Sequence, residues 1–378
     1  MTSFLFLTWP GAGNQVPEIG VAAALRAAGH QVTFAGYAAQ AERFESLGYR
    51  FQVLPAAQKR WPASPPQDWM PVLVESVWAC GEQLDDIPRL EPFDVLVVDC
   101  LMFGALDVSE VPTAVLVHSS PGALLPPGGP FEQMLLPAVN QLRAARGRAQ
   151  LGRLWDAWTP FPTLVTSVRE LDPLAARVPD EFTFVGPVSE DSEPSGWTPP
   201  WPADDPRPLV VAGFSTGPAW DQTSRVQRTL DALDDGRYRV LVTAGMVDPQ
   251  QVRVPGSAAV VPFLPHAEVL PGASAVVTHA GHGTVAAAMR HGVPIVALPN
   301  LAADQPALAM HLAGRGAGIA LDGEQATPAE IRAAVDMVVS GRSHRDAAAA
   351  IGSVIAAMPG APGAASLLAG LASPGPLR

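Results

Sequence analysis

Cysteine is nearly absent: the 378 residues hold two, Cys80 and Cys100. That is too few for a disulfide framework, and nothing points to an oxidising compartment. Positive charge is short as well. Lys and Arg number 24 against 36 Asp and Glu, a net charge of −12, which argues against a nucleic-acid or anionic-membrane surface and leaves a small molecule as the expected partner. No uninterrupted apolar run has the length needed to cross a bilayer. The opening Met1-Thr-Ser-Phe-Leu-Phe-Leu-Thr8 has no basic flank and meets Trp9-Pro10-Gly11 too soon for a signal peptide. The expectation is a cytoplasmic chain with no membrane span, and a homodimer stays open.

What the chain does have is apolar residue, 48% of it, enough for two cores of about 180 residues each. Short β-branched runs at 4–8, 31–35, 94–98, 113–117, 163–166 and 182–185, and again at 209–213, 238–243, 258–261, 275–278 and 295–299, read as buried strands. Between them the pattern suggests helices over 17–28, 143–154, 220–233 and 305–315, and the Pro- and Gly-rich stretch 121–130 reads as loop. Proline crowds residues 187–208 without periodicity, the mark of a linker. The expected division is a first domain 1–186, a linker 187–208, a second domain 209–360 and a closing tail 361–378.

The chemistry concentrates in 274–305. A strand ending at Thr278 turns through His279-Ala-Gly281-His-Gly283-Thr284 into an apolar helix, whose free N–H groups and dipole make an anion site. His279 can donate to a phosphate oxygen there, or be satisfied by a backbone carbonyl. His279 and His282 lack a third ligand at a recognisable spacing, so no metal is expected. Gly281-x-Gly283-x-x-Ala286 matches a dinucleotide pattern, but Ile295-Val-Ala-Leu-Pro299-Asn300 ends without the ribose-binding acid. Gly11-Ala-Gly13 fails in the same way: Val16 replaces the third glycine and the next strand ends at Gly36-Tyr37. Asp304 is either an N-cap or, with Gln305, one of two polar groups placed for sugar hydroxyls.

The order Phe263-Leu-Pro265-His266, then His279-x-Gly281-x-Gly283-Thr284, then Gly292-Val-Pro294, then Pro299-x-x-x-x-Asp304-Gln305 resembles the donor signature of GT-B nucleotide-sugar glycosyltransferases, above all the bacterial branch that decorates antibiotics and other natural products. The resemblance extends over nearly the whole chain. It implies an α/β GT-B fold, two Rossmann-like doubly wound domains facing a central cleft, with the acceptor on the first and the nucleotide sugar on the second. By the same resemblance Ser215 or Thr216 touches the diphosphate, Pro265 and His266 bracket the base, His279, Gly281, Gly283 and Thr284 hold the diphosphate, and Asp304 with Gln305 meets the sugar. The nucleotide sugar is a co-substrate and no further cofactor is implied. Ala287 stands where many relatives carry a ribose-binding glutamate, which fits dTDP donors.

In the first half the resemblance implies a base histidine in a Gly-His-x-x-Pro arrangement. Here Gly13-Asn14-Gln-Val-Pro17 puts Asn14 in its place, and an amide has no useful basicity near neutral pH. Asp99, at the partner position, is a helix N-cap or the base itself, directly or through water. Alternatively the acceptor is already acidic, or an activated aromatic carbon attacks. His118, ending the strand 113–117, is the reserve candidate. Trp61, Trp69 and Trp78 lie in the acceptor region as planar contacts or as loop anchors. Two rival readings stand beside transfer: a non-catalytic helper protein, suggested by Asn14, and another GT-B enzyme such as a sugar-nucleotide epimerase.

Overall fold

A computed structural model describes every residue except 65, 67, 107–110, 191–194, 215–221, 302 and 373–378. The chain forms two units. Met1–Val168, Leu174–Glu190 and Pro359–Arg378 make the first; Arg169–Pro173 and Asp191–Met358 make the second.

The first unit is built on seven parallel strands: β1 Ser3–Leu7, β2 Gln31–Gly36, β3 Arg50–Val53, β4 Val95–Asp99, β5 Thr113–Val117, β6 Thr163–Val165 and β7 Thr183–Phe184, in the order β3-β2-β1-β4-β5-β6-β7. Side chains alternate across a strand, so a strand covered on both faces must be apolar at every position. The cores show this directly. Leu5, Leu7, Leu96, Val98, Val115 and Val117 enter one cluster, while Phe4, Phe6, Val95, Val97, Ala114 and Leu116 enter another. The second cluster is closed by Val21, Ala22 and Leu25 of the helix Ala12–Ala27 and by Ala364, Ala365 and Leu368 of the helix Gly360–Leu371.

The second unit repeats the plan with six parallel strands: β8 Leu209–Gly213, β9 Arg239–Thr243, β10 Ala258–Val261, β11 Ala273–Thr278, β12 Ile295–Ala297 and β13 Gly318–Ala320, in the order β10-β9-β8-β11-β12-β13. Val210, Ala212, Val240, Val242, Ala275 and Val277 pack on Ile331, Val335 and Val338 of the helix Pro328–Ser340. The short strands β3 and β13 were not foreseen from the sequence.

Several expectations are corrected. The first helix begins at Ala12, not near Pro17, which lies inside it, so Asn14 belongs to its first turn. Within 121–130, Pro121–Leu124 is a short helix: proline at the first position needs no N–H partner. The helix expected at 143–154 is instead Pro130–Ala145, and Gly147 at φ 66° takes the left-handed turn that follows it. In the stretch read as linker, Ser195 bonds Glu268 and the Trp201 indole donates to Ser257 O at 3.2 Å. Residues Arg342–Leu371 contain a window of mean hydropathy 1.5 and would pass for a membrane-crossing helix by length and composition only. They are two helices, Arg342–Ala357 and Gly360–Leu371, separated at Met358-Pro359, with Gly360 at φ 56°.

The helix Arg342–Ala357 packs against the helix His282–Arg290, and Gly352 makes the close approach possible, because an added Cβ would run into the Met289 carbonyl oxygen. Gly352→Ala should therefore lower stability by about 1–3 kcal/mol through overpacking, although alanine gains about 1 kcal/mol in helix propensity. Thermal unfolding of the two proteins checks this, and an unchanged or higher midpoint would refute the tight contact.

Candidate functional site

Both sheets reverse their winding beside a central strand, between β1 and β4 and between β8 and β11. Open α/β sheets gather ligands there, beyond the carboxyl ends of the strands. Asn14 follows β1 and Asp99 ends β4 in the first unit, and His279 to Thr284 follow β11 in the second.

In the first unit Asp99 ends β4, and its side chain has no solvent exposure. Val95, Val97 and Asp99 alternate onto one face of β4; Ala114, Leu116 and His118 do so on β5, with Asp99 registered beside Leu116. Parallel pairing thus brings two residues 19 apart into contact: His118 Nδ1 donates to Asp99 Oδ2 at 2.7 Å. The other carboxylate oxygen accepts from Leu101 N at 2.9 Å and from the Trp9 indole at 3.0 Å. Burial by itself would push the imidazole down, but the Asp99 carboxylate, with Cys100 adding to it, holds His118 well above the usual histidine value. The side chain keeps 11% exposure, and no hydrogen bond to Nε2 occurs among the described residues. Cys100 Sγ lies 3.5 Å from Nδ1, and burial pushes that thiol up to about 11. Asp99, Cys100 and His118 bring one ligating atom each within 4.8 Å.

Asn14, in the position the resemblance gives to the base, is buried. Its Nδ2 donates to Thr8 Oγ1 at 3.4 Å and to Trp9 O at 3.3 Å, and its Oδ1 has no partner. One turn on, Glu18 is 1% exposed, and neither carboxyl oxygen has a partner within hydrogen-bond geometry. Burial, reinforced by the Asp99 charge, holds its pKa well above the ordinary carboxyl value. Glu18 was missed from the sequence, although an acid four residues from Asn14 on an otherwise apolar helix face was there to be noticed.

Of the aromatic candidates, Trp78 is 4% exposed and sits in the core, edge-on to Trp9 at 5.6 Å and to Phe131 at 5.0 Å. It anchors the fold and is corrected as an acceptor contact. Trp61 and Trp69 are half-buried, with rings 5.6 Å apart, and Tyr37 is 5.2 Å from Trp61.

In the second unit β11 ends at Thr278, and the helix His282–Arg290 begins after Gly281 without a side-chain cap, its positive dipole end at the turn. His279 lies over Gly281, where an added Cβ would come 2.5 Å from Nε2. A Cβ at Gly283 would meet nothing within 4 Å, so that glycine faces open space. Burial, with Arg225 and His266 adding to it, pushes His279 down to about 4, against the opposing backbone bond of Gly213. Burial also lowers His266, which with Pro265 begins the short helix His266–Val269. Both histidines are neutral at physiological pH. Thr284 lies half-buried in the first turn of the helix after Gly281.

Asp304 occupies the N-cap position of Gln305–Gly314, but its side chain makes no capping bond. Gln305 Oε1 accepts from Asn300 N at 3.0 Å, which turns its amide nitrogen to the donor role. Ala280 and Ala303, at φ 64° and 53°, are the non-glycine residues with left-handed backbone among the described residues. One lies beside His279 and the other beside Asp304, and such strain persists where function requires it. Ser215 and Thr216 lie outside the described residues. Asn300 and Arg225 were not foreseen.

Comparison with known proteins agrees with this geometry. Residues 227–369 match the family model described as Erythromycin biosynthesis protein CIII-like, C-terminal domain. Demethyllactenocin mycarosyltransferase of Streptomyces fradiae is 28% identical over 346 residues, 80% of this chain and 72% of that one. The calicheamicin glycosyltransferase CalG4 superposes with a TM-score of 0.76 over 98% of both chains at 22% identity. The glycosyltransferase VinC, solved in complex with dTDP, gives 0.67 at 18% identity over 99% of this chain and 100% of that one. The chain has the GT-B fold, and the relatives it resembles are glycosyltransferases of natural-product biosynthesis. In this chain the departure at position 14 coincides with His118 bonded to Asp99 and with the buried acid Glu18 whose pKa the Asp99 charge helps to raise.

Glu18 gives the site a measurable signature. Its folded pKa is raised above an unfolded value of about 4.3, so the native state holds a proton that the unfolded chain releases. Stability then falls by about 1.4 kcal/mol per pH unit between those two values. Glu18→Gln has no such proton. Its melting temperature relative to the native protein should be level near pH 4 and rise progressively toward pH 7; a difference that stays constant would show Glu18 to be ionised.

Proposed function

We infer that this glycosyltransferase is an inverting enzyme. It moves a deoxysugar from a dTDP donor to a small natural-product acceptor, such as an aromatic polyketide or a macrolide, with His118 as the base. The observation that carries the reading is the 2.7 Å bond from His118 Nδ1 to Asp99, which leaves Nε2 without a partner. A carboxylate-bonded imidazole with one open nitrogen is a general base in the required tautomer. Nε2 takes the acceptor proton, and the acceptor oxygen attacks the anomeric carbon opposite the diphosphate. The bond from that carbon to the diphosphate oxygen breaks, and the electron pair leaves with dTDP. The N–H groups opening His282–Arg290, the neutral His279 and Thr284 meet the developing charge, so the reading assigns that work to the protein and not to a metal. Asp304 and Gln305 hold the sugar. Ala287 and the likeness to a dTDP complex favour dTDP, and a cytoplasmic place of action belongs to the same reading. The helper alternative rests on Asn14 and requires that nothing else at Asp99 accept a proton.

Calorimetric titration with dTDP and UDP should show micromolar binding of one nucleotide, weakened about tenfold in His279→Ala by loss of one phosphate contact. A folded protein that binds neither would sink the transferase reading.

The base is tested by pH. His118 accepts a proton only when neutral, and its pKa is held above the ordinary value of about 6.5. The acid limb of kcat/KM should therefore lie above that value, with activity rising as pH increases through it. Asp99→Asn removes what raises the pKa and leaves the burial that lowers it, so the limb should move down while kcat drops by about 10²–10⁴. His118→Ala should lose a similar factor with nucleotide affinity intact. A limb that Asp99→Asn does not move, together with a His118→Ala protein within a few-fold of native, would return the base role to Asp99 or to no residue.

A further inference from the structure

Two buried donor atoms near the His279 turn, Arg225 Nε and Asn300 Nδ2, have no acceptor among the described residues. Arg225, in the first turn of the helix Thr223–Ala232, is 2% exposed at its side chain. Its Nη2 donates to Pro299 O at 3.4 Å and pairs with Glu324, whose side chain is 53% exposed, while its Nε has no partner. Asn300 follows β12 and is 1% exposed. Its Oδ1 accepts from Gln222 Nε2 at 3.2 Å and its backbone N is bonded to Gln305, but its Nδ2 has no partner.

Position adds to this. Thr278 of β11 and Ala297 of β12 are paired, so His279 and Asn300 extend from neighbouring strand tips. Arg225 is near enough to help depress His279. With His279 and His266 neutral, Arg225 is the cation that the described residues bring to this loop cluster. Leaving a buried donor unmet costs about 1–3 kcal/mol, more when it is charged. Two such donors at one strand-tip junction are accounted for if a ligand supplies the acceptors.

The geometry points to Arg225 and Asn300 as a diphosphate-binding pair, a fixed guanidinium charge and an amide N–H that engage the donor's phosphate oxygens when the nucleotide sugar binds. This rests on the donor reading above and adds the source of positive charge. It also assigns Glu324 a role as the exposed counter-charge that partly neutralises Arg225 in the free protein. A purely structural Arg225 would need Glu324 only as an anchor.

Those roles separate in one titration series. Calorimetry with dTDP, UDP and thymidine would be run on the native protein, Glu324→Gln, Arg225→Lys and Asn300→Asp. Glu324→Gln removes a carboxylate that competes with phosphate, and should tighten the bound nucleoside diphosphate about three- to tenfold at low salt, an advantage that shrinks as salt screens the site. Arg225→Lys loses the planar fork and Asn300→Asp replaces a donor with a negative charge; each should weaken the diphosphate at least tenfold while thymidine binding stays unchanged. Diphosphate affinity unchanged or weakened in folded Glu324→Gln overturns the proposal even if Arg225→Lys fails to fold. Failure of the native protein to bind dTDP or UDP is a different result, which removes the donor site and this pair with it.

Discussion

A buried carboxylate must be surrounded by donors or give up its charge, and the first unit is arranged around that requirement at Asp99. Moving an ion out of water costs several kcal/mol even after relaxation, and a hydrogen bond to a charged group returns about 1.5–3 kcal/mol. Asp99 therefore needs several donors, and it draws them from separate elements: Leu101 N from its own turn, the Trp9 indole from the loop after β1, and His118 from the end of β5. Each is fixed in turn. Trp9 packs edge-on against Trp78, and Trp78 against Phe131, so the indoles shield the carboxylate from water. A second acid so close cannot ionise cheaply as well. This is why the pKa of Glu18, a buried acid without a hydrogen-bond partner, is held above the ordinary carboxyl value, by burial first and the Asp99 charge second.

The second unit meets the opposite requirement with the same topology. Its switch point gathers mostly donors, with the acid Asp304 beside them: a helix start without a side-chain cap, two neutral histidines, the Gln305 amide and the unmet groups of Arg225 and Asn300. Holding the loops in that form costs backbone strain at Ala280 and Ala303, roughly 1–2 kcal/mol each. On the proposed reading, one unit supplies an imidazole held by a carboxylate to take a proton, and the other supplies donors for a negative charge.

How much of this was legible in the sequence depended on how far apart the partners are. Strands covered on both faces appear as continuous apolar runs, so most were readable; β3 and β13, with four and three residues, were too short to register. The His279 turn was legible because its parts are contiguous. Proline misled where position outweighs composition: Pro121 and Pro130 open helices, and Pro17 lies within one. The contact between Asp99 and His118 could not be seen, because it depends on β4 lying beside β5 and on alternation placing both side chains on one face. Asn300 and Arg225 are likewise 75 residues apart in sequence and meet only through the loop after β12.

That contact also explains the residue that looked most like a lost function. Family resemblance puts a histidine at position 14, reaching Asp99 from the helix after β1. In this chain Asp99 Oδ1 is taken by Leu101 N and Trp9, and Oδ2 is taken by His118. An imidazole at 14 would have to compete with His118 for the one remaining oxygen, and two imidazoliums there would repel each other in a site with little solvent to screen them. The two positions are alternatives. With His118 bonded from the strand side, position 14 is relieved of proton transfer and is held by an amide that bonds Thr8 and the Trp9 carbonyl. On the proposed reading, Asn14 follows from placing the base on the strand side of Asp99, and the carboxylate, not the histidine position, is the part that stays.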